Sequence, residues 1–389
     1  MSYGLAVDCG TTHISLLLAE KDAQNAPLFL TLENPCRRFG ADVITRADAQ
    51  AKNPTAKKTL QDEVLRAVRD GANTLAARAG ISPNTISRIA FCANPIITHT
   101  TLGYDAKELT AFPYPLSETF GKEIPNPLAP YGFSKEATFY VAPLVSAFIG
   151  GDVLAGFCDS EKDAPHLYAD FGTNGEMILK SEGAVYAASV AAGPALEGGS
   201  IRCGMRATPG AIDHVTYANG AFSYTTIANE APRGLCASGL IEFILSGYEA
   251  GLIAKNGLVK DRVLTLTDEI SVTTEEVRAV LLAKAAFSAG IRSLLKQAGI
   301  SDFSTVHLTV AGAFGNGMEL SAAARIGLFE PAFLPRAEAK EFAALKGISR
   351  ALFNKEFPQT LLSAKKTIQV LDLAADAVFQ EDYIQSITL

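Results

Sequence analysis

The chain has 389 residues, which is more than one compact core usually holds and favours two domains. A net charge of −7 argues against nucleic acid or an anionic membrane surface as the main partner. The first residues lack the basic and apolar regions of a signal peptide, and no apolar run is long enough to span a bilayer. We therefore expect a cytoplasmic protein that binds neither nucleic acid nor a membrane.

The first elements in chain order predict a β-hairpin followed by a third strand. The runs Gly4–Asp8 and His13–Glu20 flank a turn with the sequence Cys9-Gly10-Thr11-Thr12, and Leu28–Leu32 forms the third run. Apolar residues that recur on one helical face then predict a helix from about Leu60 to Arg78.

The next segments alternate between strands and a less regular stretch. Ser87–Ala93 and Thr138–Leu144 predict strands. The proline-rich stretch Phe112–Tyr131 has little periodicity and predicts a loop that runs over the surface. A helix is expected to begin near Gly151.

The opening pattern returns in the second half of the chain. Leu167–Asp170 predicts a strand, a turn with the sequence Phe-Gly-Thr-Asn-Gly follows, and Glu176–Lys180 and Ala184–Val190 predict two further strands. Asp8 and Asp170 therefore occupy the same position in two similar three-stranded units, at the separation expected for a duplicated domain.

The duplication predicts an α/β fold of two lobes. We expect the first lobe to cover residues 1–160 and the second to cover residues 161–389, including C-terminal helices and a tail. In the second lobe, Thr273 and Glu276 form a capping-box pattern that predicts a helix ending near Ala298. A strand is expected at Val306–Val310.

The two turns share the pattern Asp-x-Gly-Thr, which suits phosphate binding. Glycine lets backbone N–H groups approach a phosphate, the threonine hydroxyl adds a donor, and the aspartate at the strand end can hold Mg²⁺. One such turn could be an ordinary tight hairpin. Two copies with the same flanking strands favour a nucleotide gripped from both sides, with Asp8 and Asp170 at the metal.

Other known phosphate-binding patterns are missing from the sequence. It contains neither a Walker-type G-x-x-x-x-G-K-[ST] run nor a G-x-G-x-x-G run after the first strand. Three further glycine clusters suit a nucleotide cleft instead: residues 191–199, 233–240 and 311–316. Glu197 lies within the first of these clusters. It is a candidate to order a water molecule for attack.

The motifs resemble those of the superfamily of acetate and sugar kinases, heat-shock chaperones and actin. Within it, the chain resembles the ATP-dependent reductive activators of corrinoid proteins. The segments that carry this resemblance are Gly40–Arg46, Asn94–Gly103, Asp170–Glu176, Ala192–Gly210, Arg233–Ile241 and Ala311–Asn316. The resemblance implies a two-lobed actin-like ATPase fold with duplicated ribonuclease-H-like lobes.

The resemblance also implies roles for individual residues. Asp8 and Asp170 would be catalytic and would hold Mg²⁺ at the phosphates of ATP, with Glu197 as the third catalytic candidate. The residues expected at the phosphate oxygens are Gly10, Thr11, Thr12, Gly172, Thr173 and Asn174. The residues expected near the adenosine are Gly239, Gly312 and Gly315.

In that family, ATP hydrolysis drives reduction of a corrinoid protein from Co(II) to Co(I). The resemblance therefore implies a corrinoid protein and a separate electron donor as partners, and relatives of this fold often form homodimers. Two other functions fit the same motifs: a small-molecule kinase of the same fold, and a nucleotide-dependent clamp that binds a partner protein without catalysis.

Many relatives also carry an iron–sulfur domain, which we do not expect here. The six cysteines are scattered, and no C-x-x-C or similar cluster spacing occurs among them.

We predict that the purified chain contains no stoichiometric iron or acid-labile sulfide and forms Co(I) only when an external reductant is added. Chemical analysis measures the iron and sulfide content of the purified chain. An activation assay with and without the reductant measures the formation of Co(I). Stoichiometric iron and sulfide, or Co(I) formation without a donor, would show that cysteines distant in sequence converge on a cluster.

Overall fold

The structure is a computed structural model that describes residues 2–22, 26–40, 45–47, 54–312 and 319–389. The elements up to residue 160 are β1 (Tyr3–Cys9), β2 (His13–Glu20), β3 (Leu28–Glu33), α1 (Pro54–Arg78), β4 (Ile86–Ala93), α2 (Pro95–Leu102), β5 (Lys122–Ile124), β6 (Thr138–Val141) and α3 (Gly151–Ser160).

The later strands and helices follow in the same order along the chain. They are β7 (His166–Phe171), β8 (Gly175–Ser181), β9 (Ala184–Val190), β10 (Ala211–Ala218), β11 (Ala221–Thr226), β12 (Gly234–Leu235), α4 (Ala237–Glu249), β13 (Val263–Thr265), β14 (Ser271–Thr273), α5 (Thr274–Gln297), β15 (His307–Gly312), α6 (Leu320–Ile326), β16 (Ala337–Ala339), α7 (Ala343–Ser349), α8 (Phe357–Thr367), β17 (Ile368–Val370) and α9 (Ala377–Gln385).

Most elements predicted from local patterns are confirmed. The capping box at the start of α5 is complete, because the Thr273 hydroxyl accepts from the Glu276 N–H while the Glu276 carboxylate accepts from the Thr273 N–H. The prediction of an unbroken loop at Phe112–Tyr131 is wrong, because β5 lies within it and pairs with β6. This edge strand has only three residues and forms by pairing with β6. It is too short to show an alternating apolar and polar pattern in the sequence.

One six-stranded sheet has the order β3-β2-β1-β4-β6-β5. The strands β1, β2 and β3 are antiparallel, whereas β4 is parallel to β1 and β6 is parallel to β4. Helix α1 packs against β2 and β3 on the face that carries Leu16, where Gly71 of the helix approaches that side chain. Leu352 and Phe353 cover Gly4 on the opposite face. Because both faces are covered, residues 4–7 of the central strand β1 are buried.

The other six-stranded sheet has the order β16-β15-β7-β8-β9-β17. The strands β7, β8 and β9 are antiparallel, whereas β15 is parallel to β7 and β16 is parallel to β15. Five strands of this sheet therefore repeat the order and directions of β3-β2-β1-β4-β6. Asp8 lies opposite Ser15 and Cys92, and Asp170 lies opposite Glu176 and Ala311, so the two aspartates hold equivalent positions.

The chain divides into two compact units, each with its own apolar core. The first unit contains Met1–Glu161 and Phe342–Ile368, and the second contains Lys162–Glu341 and Gln369–Leu389. The expectation of a second lobe that is continuous over residues 161–389 therefore needs a correction, since the segment with α7 and α8 belongs to the first unit.

The physical reason for this correction is close helix packing. Helix α7 packs against α3, β1 and β4. A Cβ placed on Gly347 would lie 2.2 Å from the carbonyl oxygen of Ala155, so only glycine lets these two helices approach so closely. Such contacts join residues far apart in sequence and leave no local pattern. None of the helices in the described part of the chain is long and apolar enough to cross a membrane.

Candidate functional site

In the second unit, the first phosphate-turn candidate is Asp170, near the end of the buried strand β7. The strand residues before Asp170 are buried, while Asp170 and the turn residues Gly172, Thr173 and Asn174 remain partly accessible. The hairpin thus carries its carboxylate and turn to an accessible edge of an otherwise apolar sheet. This places four of the predicted residues together on one short turn.

Gly312, at the end of the neighbouring strand β15, leaves room for the Asp170 carboxylate. A Cβ at position 312 would lie 2.3 Å from Asp170 Oδ1 and 2.7 Å from the carbonyl oxygen of Phe171. The φ of Gly312 is +80°, which also favours glycine. Any side chain at this position would therefore displace the carboxylate, which gives a physical reason for the glycine where β15 ends.

Glu197 approaches the same turn from the short 3₁₀ helix Pro194–Glu197. Thr173 Oγ1 donates a hydrogen bond to Glu197 Oε1 over 3.0 Å. A Cβ on Gly172 would lie 3.4 Å from Glu197 Oε1, so this carboxylate sits close to the turn backbone. The Gly193 N–H donates to the Thr173 carbonyl over 2.9 Å and fixes the loop that carries Glu197.

This arrangement refines the expected role of Thr173. A threonine hydroxyl has one proton, and here the proton is directed to Glu197. The lone pairs of the hydroxyl oxygen remain able to accept a hydrogen bond or to ligate a cation. Asp170 and Thr173 of the turn and the neighbouring Glu197 therefore offer three oxygen ligands. Oxygen ligands are the donors that Mg²⁺ prefers.

The turn after β1 in the first unit is held from the outside by three side chains. Asn34 Nδ2 donates to the Gly10 carbonyl over 2.9 Å, and Arg46 Nη2 donates to the Thr11 carbonyl over 2.8 Å. Asn94 Nδ2 donates to Thr11 Oγ1 over 3.4 Å while Asn94 Oδ1 caps α2. These contacts fix the turn, and sequence reasoning missed all three side chains because their own elements lie far from it in sequence.

Asp152, in the first turn of α3, is a further acidic residue that sequence reasoning missed. A Cβ on Gly150 would lie 2.3 Å from Asp152 Oδ1 and 2.5 Å from the carbonyl oxygen of Ala93, so this carboxylate is closely packed. Burial raises the pKa of Asp152 to about 6, although hydrogen bonds from backbone N–H groups act in the opposite direction.

Burial raises the pKa of the Cys92 thiol well above its usual range, and the charges of Asp8 and Asp152 both raise it further. The Cys92 sulfur lies 4.0 Å from Asp8 Oδ1. Two carboxylates of the first unit therefore lie near one strand end. A glycine pair before an acidic residue at a helix start is the only sequence signal that could have indicated Asp152.

Gly239 and Gly315 are the remaining residues that the sequence predicts at the site. Gly239 is buried in the first turn of α4, where a Cβ would lie 2.1 Å from the carbonyl oxygen of Ile212. Close packing of α4 on β10 therefore accounts for this glycine, and its contact with adenosine stays a prediction. Gly315 lies outside the described residues, as does most of the segment Gly40–Arg46.

The two similar sheets with their hairpin turns have the actin-like fold, and two family models match the chain. The family model described as "C-terminal domain of RACo the ASKHA domain" matches residues 164–389. The model described as "RACo middle region" matches residues 3–163. The chain belongs to the RACo family. The two-lobed actin-like fold predicted from the sequence is thereby confirmed.

Individual relatives agree with this assignment. The corrinoid activation enzyme RamQ of Eubacterium limosum is 29% identical over 423 residues, covering 99% of this chain and 70% of that protein. The Co(II) methylated amine-specific corrinoid protein reductase of Methanosarcina barkeri is 24% identical over 369 residues, covering 84% of this chain and 65% of that protein.

A solved structure is similar over the entire chain. The reductive activator for corrinoid, iron-sulfur protein superimposes with a TM-score of 0.88 at 26% identity, covering 100% of this chain and 66% of that one. The chain thus spans between 65% and 70% of the length of these three relatives.

We predict that Asp152→Asn stabilises the folded protein at neutral pH and has little effect near pH 4. The folded pKa of about 6 lies above the ordinary aspartate pKa of 3.8, so the folded state holds this proton more tightly than the unfolded state does. Stability linked to Asp152 is therefore fully present below the unfolded pKa and is lost as pH rises through 6.

Thermal unfolding of wild type and Asp152→Asn across this pH range measures the effect. The melting temperature of the variant should exceed that of wild type by a few degrees at pH 7.5, and the difference should shrink at acid pH. The exposed Asp163→Asn is the control and should show no such trend. A difference that is independent of pH would contradict the raised pKa.

Proposed function

We propose that this chain binds Mg-ATP at its two Asp-x-Gly-Thr turns and hydrolyses it to support reductive activation of a corrinoid protein. The observation that carries the proposal is the cluster of Asp170, Thr173 and Glu197, with Gly312 leaving the space that the Asp170 carboxylate occupies. The equivalent position of Asp8 in the first unit supports a second phosphate turn with the same chemistry.

The residues present suit Mg²⁺. Asp170 and Asp8 offer carboxylate oxygens at accessible strand ends, and the glycines beside them keep Cβ atoms away from the turn backbone. Asp8 and Asp170 would hold the ion through oxygen atoms. When bound, Mg²⁺ neutralises charge on the phosphates and so favours phosphoryl transfer.

The turn residues would act on the phosphate chain of ATP. We assign Gly10, Thr11 and Thr12, and Gly172, Thr173 and Asn174, to contacts with phosphate oxygens, since the glycines let backbone N–H groups of the turns approach a phosphate. Gly239, Gly312 and Gly315 are assigned to the adenosine side of the site.

Hydrolysis requires a water whose oxygen bonds to the γ-phosphorus while the bond from that phosphorus to the bridging oxygen breaks. The water also loses a proton, which a carboxylate beside it would accept. We assign the ordering of this water to Glu197, whose carboxylate lies beside Gly172 and Thr173. Glu197 would be a positioning residue, because it accepts the hydrogen bond of Thr173.

We further propose that ATP acts on a corrinoid protein by changing how tightly this chain binds it. A ligand shifts a conformational equilibrium only through different affinities for the two states. The ATP and ADP states would therefore bind the Co(II) partner with different affinities. One electron from an external donor, such as an iron–sulfur protein, would reduce Co(II) to Co(I).

The named relatives support this partner class, since one is a corrinoid activation enzyme and another is a Co(II) corrinoid protein reductase. The proposal places the chain in the cytoplasm, where the cysteines stay reduced; all six are free thiols here. It includes a homodimer as the working assembly.

We predict that Asp8→Ala and Asp170→Ala each lower ATP turnover by about a hundredfold or more, because each removes charge stabilisation at the phosphates. Turnover is measured by phosphate release, with and without a purified Co(II) corrinoid protein, which should stimulate the wild type. The exposed Asp268→Ala is the matched control and should keep full turnover. Normal turnover in both variants would disprove the phosphate-turn assignment.

We also predict that Gly312→Ala lowers turnover nearly as much as Asp170→Ala does, because its Cβ would collide with the Asp170 carboxylate. The control is Gly183→Ala, in the turn between β8 and β9. Gly183 has φ of +87°, similar to the +80° of Gly312, yet nothing lies within 4 Å of its Cβ position. Equal loss of turnover in the two variants would attribute the effect to backbone strain and not to the collision.

A further inference from the structure

We propose that His214, Glu242 and Glu319 form a binding site for a divalent transition-metal ion in the second unit. The three residues come from different elements: β10, α4 and the position before α6. Each offers one ligand atom, and these atoms lie within 4.8 Å of one another. This separation lets small movements of two accessible side chains bring all three atoms around one ion.

The Glu242 carboxylate is the fixed member of this site. Glu242 is buried, and its Oε2 accepts a hydrogen bond from the Val215 N–H over 2.8 Å. His214 Nδ1 lies 3.2 Å from Glu242 Oε1 and 3.3 Å from Oε2. Backbone hydrogen bonds of this kind orient metal-binding carboxylates from outside the coordination sphere. The exposed side chains of His214 and Glu319 can then adjust to an ion.

The charge balance of the cluster favours a cation. Two carboxylates approach one another here, and one of them is buried. In the described part of the chain, neither Glu242 nor Glu319 has a lysine or arginine within ion-pair distance, and His214 is the basic group that meets them. Like charges that converge in a partly buried place are unfavourable unless a positive charge offsets them.

The donor set indicates the class of ion. One imidazole nitrogen with two carboxylate oxygens suits Zn²⁺ and similar first-row ions, whereas Mg²⁺ and Ca²⁺ prefer oxygen ligands alone. Three protein ligands leave room for a water or another group at the ion. The ion would join β10, α4 and the start of α6, which begins a few residues after the glycine segment at residues 311–316.

The test titrates Zn²⁺ into the chelator-treated full chain, without nucleotide, by isothermal calorimetry. Wild type should bind one equivalent. His214→Gln and Glu319→Gln should each weaken binding at least tenfold, because even loss of an outer-shell partner costs about 10- to 100-fold. Both residues are exposed, so neither change should prevent folding. Zinc should raise the melting temperature of wild type and not that of His214→Gln.

The matched controls are His307→Gln, Glu230→Gln and Asp170→Ala, which lie outside the proposed site and should bind zinc as wild type does. Absence of zinc binding in wild type would overturn the proposal. Equal affinity in wild type, His214→Gln and Glu319→Gln would do the same. Loss of binding in Asp170→Ala alone would assign the ion to the phosphate turn. These results do not depend on ATP turnover.

Discussion

The second unit depends on one steric constraint, which is the missing side chain at Gly312. The parallel pairing of β15 with β7 brings Gly312 opposite Phe171, beside the Asp170 carboxylate. The Asp170 carboxylate can occupy this position only because β15 ends here without a Cβ. The position of the Asp170 carboxylate, beside the turn that Glu197 contacts, therefore depends on this opening.

The two turns reach similar positions by different means. In the second unit, Glu197 holds Thr173 through a side-chain hydrogen bond. In the first unit, Asn34 and Arg46 hold the turn through its carbonyl oxygens. A duplicated sheet therefore preserves where a strand ends, while the contacts that rigidify the turn have diverged. Rigid support of this kind is what a site needs to keep phosphate-binding groups in place.

Asp152 and Glu242 are two carboxylates that have no lysine or arginine within ion-pair distance in the described part of the chain. Burial raises the pKa of Asp152 to about 6, and Glu242 is buried beside His214 and a second carboxylate. Unfavourable charge of this kind lowers the stability of the folded chain unless a proton or a cation arrives. A proton on Asp152, or a cation at the proposed site of Glu242, would therefore stabilise the folded chain.

The sequence by itself determined the paired hairpins, the capped helix α5 and the class of fold. These features are local, because strand alternation, turn glycines and the Thr273–Glu276 capping box are each encoded within a few residues. The candidate site was predictable for the same reason where Asp170 and Thr173 share one turn. Asn34, Arg46 and Asp152 were not, because they meet the first turn and its strand end from other elements.

Only the tertiary structure decided which segments pack together. Residues 342–368 return to the first unit because Gly347 lets α7 lie directly against α3, and nothing near Gly347 in sequence records the partner helix. The short strand β5 exists because β6 pairs with it. In each case the stabilising contact joins residues that are not neighbours in the chain. No local sequence pattern encodes such a contact, so only the tertiary structure shows it.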